Sequence, residues 1–532
     1  MKVLICDPIS PRGIELFRQR PEFQVTVLEK RLAEADLLPV VAEVDAIVVR
    51  SETKITKKVL EAAKQLKVVG RAGVGVDNVD VEAATQRGVV VMNTPGGNTI
   101  TTAELTFFML GALARKIPAA HASMAAGKWD RKLFQGTEVF GKTLGVLGLG
   151  RIGGEVAKRA LAFGMRVLAY DPFLTEARAR QLGIEMVLDL DGVYREADFI
   201  TVHMPVTEQT RNMLNHDAFA KMKPGVRIVN CARGEIIKED DLTAALQSGR
   251  VASAALDVFV VEPLAADHPL RKLPNVILTP HLGASTEEAQ EKCGIEVAEV
   301  ITGYLLTGEV RNAVNLPFLD AKTYEAVKPY LVLGEKLGRL LGQVAPPLVD
   351  RLHITYGGKA RELPNIDPVT RAILRGYLSV GGAKDVNNVN VRAAATAQGL
   401  NVEEKRSDEP VTFNEWLHVQ LFSGDAKVIS AGGTFFGSPN NPRIVRLFSR
   451  PVEINPEGVL LLLNNKDRPG MVGYLGTLLS KHGVNIANMS LSRDAAGGQA
   501  LTVFNLDSVP PAQLLKEIQT DPDITNVHVV TL

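Results

Sequence analysis

Gly148-Leu149-Gly150-Arg151-Ile152-Gly153 stands directly after the apolar run Leu144-Gly145-Val146-Leu147, and Asp171 closes the next apolar run eighteen residues past Gly153. Strand, glycine-rich turn, helix, strand and acid come in the order that a dinucleotide site demands. Gly148 permits the tight turn, and Gly150 lets the backbone come close to a pyrophosphate. Gly153 lets the helix pack on the strand, so that its N-terminal amides point at negative charge. Asp171 can accept the hydrogen bonds of an adenosine ribose and would repel a 2′-phosphate there. NAD is therefore expected over NADP.

The same rhythm extends in both directions. From about 140 to 280 the strand candidates are Leu144–Leu147, Arg166–Tyr170, Phe199–His203, Arg227–Asn230, Ala254–Val258 and Val276–Thr279. Residues 1 to about 95 repeat the pattern without a glycine fingerprint, through Lys2–Cys6, Gln24–Leu28, Ala46–Val49, Val68–Gly70 and Val89–Met92, and predict an open parallel α/β unit. Thr101-x-x-Glu104 reads as a capping box that opens a helix running toward Arg115. A second helix, from about Thr286 to Thr307, is long enough to cross back to the first unit. Residues 318–452 carry strand-like segments (Arg351–Tyr356, Leu417–Phe422, Arg443–Phe448) around an Ala/Gly/Asn-rich middle, with no catalytic cluster, and read as structural or regulatory. The C-terminal stretch reads as strand Gly458–Leu463, helix Met471–His482, two strands around Asp494–Gly498, helix Pro511–Thr520 and strand Val527–Leu532, a βαββαβ unit of ferredoxin-like type.

At 532 residues the chain is too long for one core. Lys+Arg and Asp+Glu both number 60, so no charge imbalance argues for nucleic acid or an anionic membrane. Cys6, Cys231 and Cys293 form no CxxC pair, which suits a reducing compartment and gives no frame for disulfides or a metal. The N-terminus lacks the features of a signal peptide, and the apolar stretch from Leu105 to Ala114 is too short for a bilayer. A cytoplasmic location is expected.

Three polar residues stand at the ends of predicted strands behind the fingerprint: Arg233 in Asn230-Cys231-Ala232-Arg233-Gly234-Glu235, Glu262 before Pro263, and His281 in Pro280-His281-Leu282-Gly283-Ala284. Ligands of open parallel sheets bind outside the carboxyl ends of the strands, so all three can line one crevice. Hydride transfer from a secondary alcohol needs a base for the hydroxyl proton, which suits histidine. It needs a carboxylate to orient the imidazole, and a fork of donors for a substrate carboxylate, which suits a guanidinium. Taken singly, each has a plain structural reading: a loop salt bridge, a loop Glu-Pro, a strand-end histidine. The triple behind a dinucleotide fingerprint is the stronger pattern.

In these motifs, and in their order, the chain resembles the D-2-hydroxyacid dehydrogenases. Gly70-Arg71-Ala72-Gly73-Val74-Gly75-Val76-Asp77-Asn78, Asn93-Thr94-Pro95-Gly96-Gly97-Asn98 and Gly127-Lys128-Trp129-Asp130-Arg131-Lys132 narrow the likeness to the long-form branch that acts on 3-phosphoglycerate. The resemblance implies two doubly wound parallel-sheet domains, one a Rossmann NAD domain (98–284) and the other a substrate domain discontinuous in sequence (1–97 with 285–315). An α+β intervening domain (318–452) and a ferredoxin-like ACT domain (455–532) follow. It implies Arg233, Glu262 and His281 as catalytic. Cofactor contacts are implied at Gly148, Gly150, Arg151, Ile152, Gly153, Asp171, Cys231, Ala232, Arg233, Asp257, His281, Gly283 and Ala284. Substrate contacts are implied at Arg50, Ser51, Arg71, Gly73, Val74 and Asn98, with Arg131 and Lys132 reaching into a neighbouring subunit's site in a homo-oligomer. The Val74 position often bears a hydroxyl in relatives, and valine leaves only its backbone to contribute.

A phosphorylated substrate needs cationic groups beyond Arg233, and Arg50 and Arg71 stand at strand ends that face the same crevice. In the tail, Asp467 could pair with an α-ammonium group, and Asn465 and Asn485 offer amides to a carboxylate or hydroxyl. The resemblance names L-serine as the effector, expected to bind across paired tails. Two other functions stay open: a glyoxylate or hydroxypyruvate reductase of the same family, and a non-catalytic NAD-sensing corepressor on the same scaffold.

Overall fold

The computed structural model describes residues 1–317, 321–380, 386–409 and 415–532, so the boundary expected at 318 lies outside the described residues. Four sheets follow one another along the chain. The first is built from β1 (Lys2–Ile5), β2 (Gln24–Val27), β3 (Ala46–Val49), β4 (Val68–Arg71) and β5 (Val90–Met92), all parallel, in the order β2-β1-β3-β4-β5. β3 and β5 are buried along their whole length, as expected when helices cover both faces.

The second sheet contains β6 (Thr143–Leu147), β7 (Arg166–Tyr170), β8 (Glu185–Met186), β9 (Phe199–Val202), β10 (Val226–Asn230), β11 (Val251–Leu256) and β12 (Val276–Leu278), in the order β12-β11-β10-β9-β6-β7-β8. The chain reverses direction between β6 and β9, beside the glycine-rich turn, which is the ligand position of a doubly wound sheet. β8 has only two residues and is not foreseen from the sequence. Helix Thr99–Arg115 packs its Ala103, Phe107, Leu110 and Leu113 into the core of this second unit. It starts at Thr99 behind Asn98, so Thr101 lies inside the helix and caps nothing. Helix Glu287–Thr307 returns to the first unit, where Cys293, Val297 and Ile301 join the core under β4.

Beyond helix Ala321–Val344, a mixed third sheet holds β13 (Arg351–Gly358), β14 (Asn401–Arg406), β15 (Glu415–Ser423), β16 (Ala426–Phe435), β17 (Pro442–Leu447) and β18 (Arg450–Ile454), ordered β14-β13-β15-β16-β17-β18. It touches the first unit where Asn387 Nδ2 donates to Gly88 O at 2.8 Å and Val389 is buried beside the first sheet.

The fourth sheet is antiparallel, β20-β21-β19-β22, from β19 (Val459–Lys466), β20 (Ile486–Arg493), β21 (Gln499–Leu506) and β22 (Ile524–Thr531). Leu461, Leu463 and Phe504 face helices Met471–Lys481 and Ala512–Gln519. The opposite face, with Leu460, Leu462, Leu501, Val503 and Val530, is continuous with the core around helix Ala321–Val344. Gln343 fastens that contact with two bonds to the Thr531 backbone, each 3.0 Å. Among the described residues, no helix is long and apolar enough to cross a membrane.

Candidate active site

The glycine turn has the geometry its sequence predicts. Gly148 has φ +94°, a left-handed conformation that a side chain would strain, and a Cβ there would lie 2.6 Å from His203 O. A Cβ on Gly153 would run into Gly148 O, whereas one on Gly150 would point into open space. The turn is thus closed against its own strand and clear on the side where a pyrophosphate would approach. Asp171 lies at its lip, taking the Leu149 N–H on one oxygen and the Phe173 N–H on the other, both at 2.8 Å. Arg151 begins helix Arg151–Ala162 and is exposed, and Ile152 packs partly on the core. These residues fit a dinucleotide.

At the far end of the second sheet, Asp257 organises the loop that carries His281. Its buried carboxylate takes the Thr279 hydroxyl at 2.6 Å, the Leu282 N–H at 2.8 Å and the Gly283 N–H at 2.9 Å. Burial pushes its pKa up against these bonds. Thr102, on helix Thr99–Arg115, donates its hydroxyl to Gly283 O at 2.7 Å. His281 is held at φ +56°, uncommon for a residue with a side chain. Its Nδ1 lies 2.8 Å from Glu262 Oε2, while Glu262 Oε1 takes the Phe259 N–H at 3.0 Å. Burial pushes the Glu262 carboxyl up, but the bonds from His281 and Phe259 and the nearby Arg233 outweigh it, and its pKa is lowered. With Nδ1 bonded to Glu262, Nε2 is the nitrogen left for a substrate hydroxyl.

Arg233 reaches from the second unit to the first. Its Nε and Nη2 lie 3.0 and 2.9 Å from Asp77 Oδ2, and the guanidinium lies against Gly75. Arg71 folds over Gly73 in the same loop. Burial and the neighbouring Arg233 push its guanidinium down to about 10, and its buried Nε has no partner among the described residues. Asn98 Oδ1 is buried without a partner in the same way. Asn93 Nδ2 donates to Val74 O at 2.5 Å, which fixes the backbone that Val74 contributes. Arg50 lines a cleft with Ala72, Ala284, Gln290 and Cys293, and its backbone is tied by Asp7. Ser51 is exposed beside it. The crevice therefore has a hydrogen-bonded imidazole at one end and crowded guanidinium groups opposite, an arrangement that attracts an anion carrying an oxidisable hydroxyl.

One expected side-chain contact is altered within the chain, and another pair lies away from this crevice, as residues meant for a neighbouring subunit's site would. The Cys231 thiol is buried against Met109 Sδ at 3.6 Å and pushed up to about 12 by burial, leaving its backbone and Ala232 at the crevice. Arg131 and Lys132 lie in the exposed turn Arg131–Phe134 and make no bond to this crevice among the described residues.

Comparison with known proteins agrees with this geometry. Residues 107–283 match the NAD binding domain of D-isomer specific 2-hydroxyacid dehydrogenases, residues 326–448 the D-3-phosphoglycerate dehydrogenase intervening domain, and residues 459–523 the ACT domain. D-3-phosphoglycerate dehydrogenase of Synechocystis is 44% identical over 100% of this chain and 95% of its own, and that of Methanocaldococcus jannaschii is 42% identical over 100% of both. The chain belongs to the D-3-phosphoglycerate dehydrogenase family. Among solved structures, a glyoxylate reductase from Paecilomyes thermophila (30% identical, TM-score 0.55) covers 59% of this chain and 98% of its own. The NAD-dependent formate dehydrogenase of Staphylococcus aureus, solved with NAD, is 29% identical with TM-score 0.54 over the same shares.

In the ACT domain of this family member the three expected effector residues do not come together within one chain. Asn465 is buried inside the sheet, where its Oδ1 takes the Thr502 hydroxyl at 2.7 Å and its Nδ2 donates to Lys466 O at 3.0 Å. At 1% exposure its amide is out of reach of a ligand in solvent. Asp467 pairs with Arg493 Nη1 at 2.8 Å and takes the Gly497 N–H at 3.1 Å, and its pKa is lowered by Arg493. The exposed Asn485 donates to Asp507 at 2.7 Å. Asp467 lies by the Arg493–Ala500 end of the β20–β21 pair and Asn485 by the Ile486–Leu506 end. Eight residues of strand, roughly 25 Å, separate them. They cannot hold one small ligand within a single chain.

Asp77, Thr102, Thr279 and Asn93 escaped the sequence reading. Asp77 and Asn93 do stand inside the motifs that carried the resemblance, and Thr279 directly precedes Pro280-His281.

Proposed function

We propose that this chain oxidises 3-phospho-D-glycerate to 3-phosphohydroxypyruvate with NAD, the first step of the phosphorylated route to L-serine. The observation that carries this is the Glu262–His281 pair facing Arg233 and Arg71 across one crevice. Gly148, Gly150, Gly153 and Asp171 would hold the dinucleotide, and NAD when bound supplies the acceptor for the hydride leaving C2. His281 Nε2 takes the proton of the C2 hydroxyl. Glu262 keeps the imidazole oriented and stabilises its protonated form. Arg233 binds the substrate carboxylate and the oxygen that becomes the carbonyl, while Arg71 and Arg50 take the phosphate.

L-serine is the proposed effector. Since Asp467 and Asn485 stand at opposite ends of the edge strand β20, an antiparallel pairing of two tails along β20 would bring Asp467 of one chain toward the Asn485 position of the other. Phe108, Ile117, Met124, Trp129, Leu133 and Phe140 are all exposed. Apolar exposure of this kind marks an interface and supports a homo-oligomer in which Arg131 and Lys132 reach a neighbouring crevice.

The reading is tested by NADH formation on 3-phosphoglycerate, glycerate and lactate and by NADH consumption with glyoxylate and 2-oxoglutarate, with NAD(H) and NADP(H) compared. Preference for 3-phosphoglycerate with NAD is expected. NAD binding without turnover on any substrate would favour a sensor instead.

A further inference from the structure

In a parallel sheet ordered β2-β1-β3-β4-β5, the connections leave β1 and β3 in opposite directions. The loops beyond these two strands part, and that gap is a customary ligand seat. The proposed chemistry uses one side of it, where Arg50 lines the cleft with Ala72 and Ala284. On the other side a separate cavity of about 440 Å³ opens between residues 31–34, which follow β2, and residues 53–56, which follow β3.

Its walls bear Arg31, Lys54, Glu34 and Thr56, with Leu32 and Leu37 as apolar surface. Glu34 is already engaged: Thr56 donates to its Oε2 at 2.7 Å, and Lys58 Nζ stands 3.8 Å from its Oε1. Arg31 and Lys54 have no carboxylate within ion-pair distance among the described residues. Two uncompensated cations thus line one cavity whose only acid is occupied, and that distribution favours a compact dianion over a neutral or cationic ligand. A buried carboxylate links this wall to the active crevice. Asp7 takes the Arg50 N–H at 2.7 Å, the Thr53 N–H at 3.2 Å and the Thr53 hydroxyl at 2.5 Å.

We propose that this cavity is a second anion site, where Arg31 and Lys54 grip a small metabolite with two negative charges, a phosphate or a dicarboxylate. Through Thr53 and Asp7 its occupant bears on the backbone that carries Arg50. The site lies outside the proposed catalytic groups and does not depend on what they do.

The test is calorimetric titration of the full-length protein with inorganic pyrophosphate and, in parallel, with glutarate, which separates phosphate from dicarboxylate. The native chain is expected to show two classes of site for at least one of these ions. R31Q/K54Q should weaken one class by about tenfold or more, the loss expected for a charged hydrogen-bond pair. R31K/K54R should restore it. R71Q/R233Q, which strips the crevice of both neighbouring guanidinium groups, should remove the other class and leave this one. Binding of both ions by R31Q/K54Q with native affinity and stoichiometry would overturn the proposal, as would a native chain with a single class that R71Q/R233Q abolishes.

Discussion

Arg233 and Asp77 meet across the crevice between the first two units, with two guanidinium nitrogens at 3.0 and 2.9 Å from one carboxylate oxygen. The pair ties the loop after β10 to the loop after β4. Asp77 is 67% exposed, so the pair adds little to folding. Its negative charge does, however, oppose an incoming anionic substrate at the guanidinium that is to receive it. Asp77→Asn is therefore expected to lower KM for 3-phosphoglycerate, by up to about fivefold, the equivalent of about 1 kcal/mol. A rise in KM would show that Asp77 serves to orient Arg233.

The bonds from His281 and Phe259 hold the Glu262 carboxyl below the usual carboxylate range, so the charge beside the imidazole should persist until the pH falls through that lowered value. Glu262→Gln removes the charge at every pH, and oxidation turnover should fall with NAD binding retained. His281→Ala should cut turnover by ~10²–10⁴-fold with NAD binding retained. Native turnover in Glu262→Gln would reduce Glu262 to a loop residue.

Arg71 is buried beside another guanidinium, an unfavourable arrangement that a bound anion relieves. Arg71→Ala and Arg50→Ala should each raise KM for 3-phosphoglycerate by about 10- to 100-fold, the worth of a charged hydrogen bond. KM for glycerate should change much less. Equal losses on both substrates would assign these arginines to the carboxylate or to the fold.

Asp171→Ala should raise KM for NAD by about tenfold or more and narrow the preference over NADP. Steady-state kinetics with both cofactors checks this, and equal native rates with NADP would contradict it.

In the tail, Asp467→Ala on the full-length chain should abolish inhibition by L-serine, read against the uninhibited rate of the same variant. Asn465→Ala tests something else. It leaves the buried Thr502 hydroxyl without its acceptor and should destabilise the tail by about 1–3 kcal/mol, visible as a lower Tm.

Apart from β8, the strands of the first two sheets were legible because each is a short apolar run bounded by turns. The Glu262–His281 pair was legible because the two residues stand in the loops that follow β11 and β12, which neighbour in a doubly wound sheet. Asp77 was not, since its partner is 156 positions away and only the closeness of two units brings them together. Asn465 was misread because the first tail strand seemed to stop at Leu463. β19 in fact continues to Lys466, and the period of two puts Asn465 on the inward face with Leu461 and Leu463. In the third sheet, β16 reads AKVISAGGTF, too rich in alanine and glycine to announce a strand. The helix start at Thr99 was missed for a simpler reason: Thr101 and Glu104 have the spacing of a cap, but Asn98 precedes them.

The centre of the tail sheet is covered on both faces. Leu460, Leu462, Leu501, Val503 and Val530 share one apolar interior with helix Ala321–Val344, and Gln343 fastens the seam. Residues 321–532 should therefore melt as one cooperative block, and cutting the chain near 455 would bare a large apolar surface on both pieces. Any ligand that tightens the tail consequently tightens the third unit with it, and the contacts of Asn387 and Val389 with the first unit carry that stiffening toward the substrate side of the molecule.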